Sequence, residues 1–184
     1  AMHRLVHRNE IFARAILEVS GKTVFLDTSK DPMRMRYLHL SPQIDLYVIH
    51  LIRDVRGVVA SILSRREDMD VRQATNHWLV AEHNIRRHLE SIPAQRQIEV
   101  QYKDITTNTL ETLNRLFSFV GVQPLQQMVN FRDVEHHVLG NKMRKQSTSE
   151  IRVDDRWRTI LSEKQLELIA HITEPKIRSW LKSA

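Results

Sequence analysis

The spacing of apolar residues along the 184-residue chain changes several times, and each change marks an expected element. In RLVHRNEIFARAILEVSG, Leu5, Ile11, Ala15 and Ile16 fall near helical spacing, and Gly21 supplies the stop expected of a glycine-capped helix. KTVFLDTS predicts a short strand over Thr23 to Asp27. A helix is expected to start around Pro32, where proline is tolerated in a first turn, and SPQID breaks it. The run from Leu46 to Ile52 reads as a strand buried on both faces, the kind found in parallel sheets covered by helices. A helix follows Arg53 and ends near Arg65, and a longer one from Val71 to Glu90 carries Trp78, Leu79, Ile85 and Leu89 on a polar background. RQIEVQY predicts a third strand. Leu110, Leu113, Leu116, Phe117 and Val120 then give an amphipathic helix closed by Gly121. After a stretch rich in His, Asn, Lys and Ser between Arg132 and Glu150, a last helix is expected from Ser162 to Leu181. Strands separated by helices predict a three-layer α/β domain with a mainly parallel central sheet. No internal repeat, low-complexity tract or interdomain linker interrupts it, so one domain over residues 1–184 is expected.

Arg53 stands at the carboxyl end of the Leu46 to Ile52 strand. Ligands of open α/β sheets collect at that edge, and the first-turn N–H groups of the next helix point the same way, so the position favours an anion. The charge balance agrees: 28 Lys and Arg against 22 Asp and Glu give a net charge of +6. Basic charge alone would equally suit nucleic acid or acidic lipid. Trp78, Trp157 and Trp180 are too scattered for a stacking platform, which leaves nucleic-acid binding without support beyond that charge. The absence of cysteine excludes disulfides and Cys-based metal sites and makes a reducing compartment the simplest setting. No apolar run approaches a membrane span, and the amino terminus lacks the continuous apolar core of a signal peptide, so a soluble, cytoplasmic protein without stable membrane insertion is expected.

Several segments, in order, resemble the sulfotransferases that use 3′-phosphoadenosine 5′-phosphosulfate. VFLDTSKDPMRMRYL is similar to the strand and Ser-Lys turn of bacterial and carbohydrate-type members. HLIRDVRGVVASIL resembles the family's 3′-phosphate-binding segment, in which an arginine ending a strand and a serine eight residues later hold the phosphate; Arg53 and Ser61 have that spacing. VQYKDITTNTLETLNRLFSFVGV is similar to the family's Tyr-Glu-Asp-Leu strand end and following helix, with Lys103 where glutamate is common. HHVLGNKMR and DDRWRTIL resemble the late nucleotide-covering loop and the acidic-Trp-basic segment behind it. The resemblance implies a P-loop NTPase-like fold and transfer of a sulfuryl group from the nucleotide to a hydroxyl or amine acceptor. It implies Arg53, Ser61, Tyr102, Lys142 and Arg144 as nucleotide ligands and Lys30 as a catalytic or sulfuryl-steering cation. Lysine and arginine can neutralise the leaving oxygen, so no metal is expected. His77, Glu82 and Asp31 are all available as general base, and no spacing selects one.

The family's first strand and glycine-rich 5′-phosphosulfate loop are not evident. Gly21, Gly57, Gly121 and Gly140 are isolated, and no Gly-x-x-x-[Ser/Thr] turn follows a first strand. The domain is therefore expected to be incomplete at its amino-terminal side, or else to be a non-catalytic nucleotide-binding or protein-interaction module on the same scaffold.

Plainer roles exist for the same residues. Arg53 could pair with Asp54 or with a neighbouring helix, Ser61 could be a small packing residue, and Tyr102 a core aromatic. Lys30, Lys142 and Arg144 could be merely solvated. His3 and His7 have the i, i+4 spacing of a zinc helix, but Arg4 stands where the glutamate of the His-Glu-x-x-His motif would be. The adjacent His136 and His137 would point apart in a strand or regular helix.

Overall fold

The computed structural model describes residues 2–127 and 151–182. In chain order the elements are α1 (Met2–Ser20), α2 (Pro32–His39), β1 (Val48–Ile52), α3 (Val55–Leu63), α4 (Val71–Leu89), a 3-10 turn (Ala94–Arg96), β2 (Gln97–Gln101), α5 (Tyr102–Thr107), α6 (Thr109–Phe119), α7 (Trp157–Ile160) and α8 (Glu163–Lys182). They form two compact units, Ala1–Val100 with Asp154–Ala184, and Gln101–Val153.

In the first unit β1 and β2 are neighbours in a parallel sheet, joined through α3 and α4, which gives the expected α/β architecture. Helix starts follow local chemistry. The Asp31 side chain accepts the Met33 N–H at 2.9 Å with Pro32 in the first turn of α2, and Asp54 accepts the Arg56 N–H at 2.9 Å to open α3. Asp70 and Gln73 form a reciprocal capping box on α4, at 2.7 and 2.9 Å.

The core lies where α3, α4, α7 and α8 meet: Val59 and Ala60, Val71 and Ala74, Trp157 and Leu161, and Ile169. The valine, leucine and isoleucine side chains among them stabilise by about 1.5 to 3 kcal/mol each when fully buried. On α4 the buried positions Val71, Ala74, Thr75, Trp78, Glu82 and Leu89 follow the helical period; of the expected apolar positions Trp78 and Leu89 are buried and Leu79 and Ile85 half-buried. Because Trp157 is part of this core, the DDRWRTIL segment is fastened against α3, the helix that follows Arg53.

In the second unit α5 and α6 pack on each other. The Thr112 hydroxyl donates to the Asp104 carbonyl at 3.1 Å, and the Asn114 amide brackets the backbone of Leu125 at 2.6 and 2.9 Å.

Three expectations are corrected. Thr23–Asp27 forms no strand: Thr23 is a bend, the residues after it are irregular, and the sheet among the described residues is β1 and β2 alone. Leu26 is 71% exposed, and Asp27 spends its carboxylate on the Ser29 N–H and on Arg34, local bonding that competes with a ladder. The strand at Leu46 starts two residues later, at Val48, and is buried on one face only: His50 and Ile52 are inside, whereas Leu51 is 49% exposed. Tyr102 does not end a strand but opens α5.

Candidate anion-binding site at the end of the first strand

Arg53 follows the last residue of β1, and its neighbour Asp54 caps α3. Alternation along a strand puts His50 and Ile52 on the buried face and Arg53 on the opposite one. The Arg53 side chain then lies back over the first turn of α3. A Cβ built on Gly57 would stand 3.1 Å from Arg53 Nε and 3.3 Å from Nη2, so a bare backbone is what admits the guanidinium. Gly57 and Ser61 are four residues apart on α3 and share a helix face. The half-buried Ser61 therefore lies about 6 Å further along the helix axis than Gly57. A tetrahedral anion could touch both.

The acidic partner of Arg53 comes from the far end of the chain. Arg53 Nη2 donates to Asp154 Oδ2 at 2.8 Å, where the sequence offered Asp54 as a candidate. Arg156 holds the same carboxylate as a fork, Nε to Oδ1 at 2.7 Å and Nη2 to Oδ2 at 2.8 Å. The Arg156 hydrogen bond, aided by the charge of Arg53 and opposed by burial, lowers the Asp154 pKa to about 2. Asp54 pairs with its own neighbour Arg56, Nε to Oδ1 at 2.9 Å; burial works against its ionisation, but the Arg56 bonds outweigh it and the pKa is lowered. Arg56 and Arg158 both lie over the buried Trp157 ring, 4.1 and 4.5 Å from its centroid.

Lys30 sits in a second, tightly built turn. Its φ of 60° is the left-handed conformation that a side chain rarely adopts, and among the described residues no other non-glycine shares it. Asp27 Oδ1 accepts the Ser29 N–H at 2.8 Å, Arg34 Nε donates to Asp27 Oδ2, and Arg34 Nη1 donates to the buried Asn9 Oδ1 at 2.8 Å. Burial opposes ionisation of Asp27, but Arg34 and Ser29 lower its pKa overall. The turn borders an open cleft of about 580 Å³ whose lining includes Arg8, Phe12, Phe25, Ser29 and Arg34.

Tyr102 lies at the start of α5 in the second unit. Lys142 and Arg144 lie outside the described residues. The three candidate bases have separate surroundings. Asp31 is engaged as a cap, His77 is exposed on α4, and Glu82 is buried with its Oε2 3.2 Å from His50 Nε2. That distance is within ion-pair range, yet neither atom makes a hydrogen bond of good geometry. His50 and Asp154 were not singled out by sequence reasoning. A histidine inside an apolar strand was a readable signal for the first; the second opens the DDRWRTIL segment, which the sequence marked as a whole without giving Asp154 a role. Among the described residues no group of three or more His, Asp or Glu could hold a metal ion, and no helix is long and apolar enough to cross a membrane.

Comparison with solved structures finds two sulfotransferase domains. One is from the curacin biosynthetic pathway, with TM-score 0.54 and 19% identity over 79% of this chain and 59% of that one. The other is from the Synechococcus PCC 7002 olefin synthase, with TM-score 0.55 and 20% identity over 78% of this chain and 55% of that one. At such identities the likeness establishes the P-loop-like sulfotransferase fold, and this chain spans a little more than half the length of each match. No curated protein matches the chain. A family model described as the sulfotransferase family matches residues 3–127, more than half of the sequence, and the chain belongs to that family.

Proposed function

We propose that the chain contributes the 3′-phosphate half of a site for 3′-phosphoadenosine 5′-phosphosulfate, within a sulfotransferase that moves the sulfuryl group to a hydroxyl or amine acceptor. The observation that carries this reading is the Arg53 guanidinium laid over Gly57 with Ser61 one turn further along the same face. Arg53 supplies charge-assisted donors to the phosphate and Ser61 a hydroxyl donor. Lys30, projected from its strained turn, is proposed to steer the sulfuryl oxygens. Tyr102 is proposed to contact the adenine, and Lys142 and Arg144 to cover the nucleotide. Apart from Lys30, the 5′-phosphosulfate contacts would be made by residues other than these 184, in keeping with the share of the matched structures that the chain covers.

Transfer itself is an in-line displacement. The acceptor oxygen or nitrogen forms a bond to sulfur as the bond from sulfur to the bridging phosphate oxygen breaks, and a base takes the acceptor's proton. Cationic side chains offset the charge that develops on the leaving oxygen.

Titration calorimetry with 3′,5′-adenosine bisphosphate and adenosine 5′-phosphate tests the assignment. Arg53→Ala is expected to lose about tenfold to hundredfold in affinity for the bisphosphate. Ser61→Ala is expected to lose on the order of 1 kcal/mol. An arginine variant that is less stable yet keeps the wild-type preference for the bisphosphate would remove Arg53 from the phosphate site.

A further inference from the structure

The Asp154 carboxylate is the meeting point of two guanidinium groups that approach from different parts of the first unit. Arg53 arrives from the end of β1 and Arg156 from the turn before α7. Their Nη2 atoms each lie 2.8 Å from the same Oδ2 oxygen and so stand at most 5.6 Å, twice that distance, apart. Arg156 grips the carboxylate as a fork across both oxygens and Arg53 adds one N–H to Oδ2; such a pair of guanidinium groups is an anion site, and its occupant here is a side chain. Asp154 is well buried while the Arg156 side chain is largely exposed, so the site opens outward past Arg156.

We infer that Arg156 is a second cationic ligand of the nucleotide's 3′-phosphate, and that Asp154 stands in for that phosphate until the nucleotide displaces it from the two arginines. This rests on the assignment of Arg53 to the 3′-phosphate. The substitution is chemically sound: a phosphate dianion carries twice the charge of a carboxylate and a third terminal oxygen, which suits the Ser61 hydroxyl on the Gly57 face. The segment that carries Asp154 can yield without unfolding the core, because its anchor is the stacked Trp157 rather than the carboxylate. Asparagine at position 154 would keep an oxygen for the Arg156 N–H, which now reaches Oδ1 at 3.4 Å, while removing the competing charge.

Calorimetric titration of the full chain with 3′,5′-adenosine bisphosphate and with adenosine 5′-phosphate, alongside thermal melts, separates the possibilities. Asp154→Asn is expected to bind the bisphosphate about threefold to tenfold more tightly, with affinity for the monophosphate unchanged. Arg156→Gln is expected to lose about tenfold for the bisphosphate alone, and Arg156→Lys, which keeps the charge but not the fork, to fall between. Melting of Asp154→Asn without nucleotide should be lowered and should recover when the bisphosphate is saturating. Weaker or unchanged bisphosphate binding by Asp154→Asn would show that the carboxylate only orients Arg53, and would overturn the inference. So would wild-type discrimination by Arg156→Gln. If Arg53→Ala loses the preference while both of these variants behave as wild type, this inference alone falls; if Arg53→Ala keeps it, the phosphate assignment falls and the inference with it.

Discussion

The Arg53 guanidinium lies across the backbone of Gly57, four residues on, with no room for a methyl group between them at normal contact distance. Gly57→Ala therefore separates two effects. An alanine in the first turns of α3 favours the helix by about 0.5 to 1 kcal/mol, so the melting temperature should hold or rise. The new Cβ makes the guanidinium give by a few tenths of an ångström, and affinity for the bisphosphate relative to the monophosphate should fall modestly. Calorimetry and thermal melts on one sample check both signs. A variant with intact discrimination would mean that the guanidinium binds from another position.

The left-handed backbone of Lys30 predicts a second separation. Lys30→Gly should raise stability by about 0.5 to 1 kcal/mol, read by chemical denaturation, because glycine adopts that conformation without a Cβ clash. Lys30→Ala removes the ammonium and keeps the strain, so it should not raise stability. If the lysine steers the sulfuryl group, both variants should lose turnover alike in a sulfotransferase that carries them.

Acid should loosen the Arg53–Asp154–Arg156 cluster. Asp154 has its pKa lowered from 3.8 to about 2, so its contribution to stability is complete above about pH 4 and is lost as the pH falls through about 2. Asp154→Asn removes that dependence and should lower stability at neutral pH by about 1 kcal/mol, a figure reduced by the exposure of Arg156. Denaturation midpoints of the two proteins between pH 2 and pH 5 should converge toward the acid end.

Expressed alone, the 184 residues should bind 3′,5′-adenosine bisphosphate weakly and show little or no sulfuryl transfer. Their four glycines are isolated, and no glycine-rich turn is evident in the sequence to hold the 5′-phosphosulfate. An assay with radiolabelled donor and a panel of alcohols and amines checks this, and robust turnover would point to a loop within the chain that substitutes for the glycine-rich one.

Helices were legible from the sequence because their cues are local. The apolar period of α4 and α6, Pro32 at the start of α2 and the glycines after α1 and α6 placed those elements within a few residues. Strands were less so, because a strand is defined by a partner. VFL at residues 24–26 has strand propensity, but Phe25 turns edge-on to Phe12 at 6.0 Å and Asp27 is drawn into its own turn. At the site, Arg53 and Ser61 could be picked out because their spacing is fixed within one strand and one helix. The DDRWRTIL segment was marked too, but the pairing of its Asp154 with Arg53 was not, since that contact depends on the packing of Trp157 against α3.

The bond between Arg53 and Asp154 joins residues separated by 101 positions in the sequence. On a ribosome that distance is a delay: at 5 to 20 residues per second, α3 and its arginine emerge roughly 5 to 20 s before the carboxylate that engages them. Throughout that interval the nascent chain carries α3 without the tryptophan that packs against it in the core. Helix α4, which follows α3 at once, is the cover available to the apolar face of Val59 and Ala60 until α7 and α8 are made. A stop codon before residue 154 leaves Arg53 without that carboxylate and Val59 and Ala60 without Trp157, so truncation there removes the pairing and the core contact together.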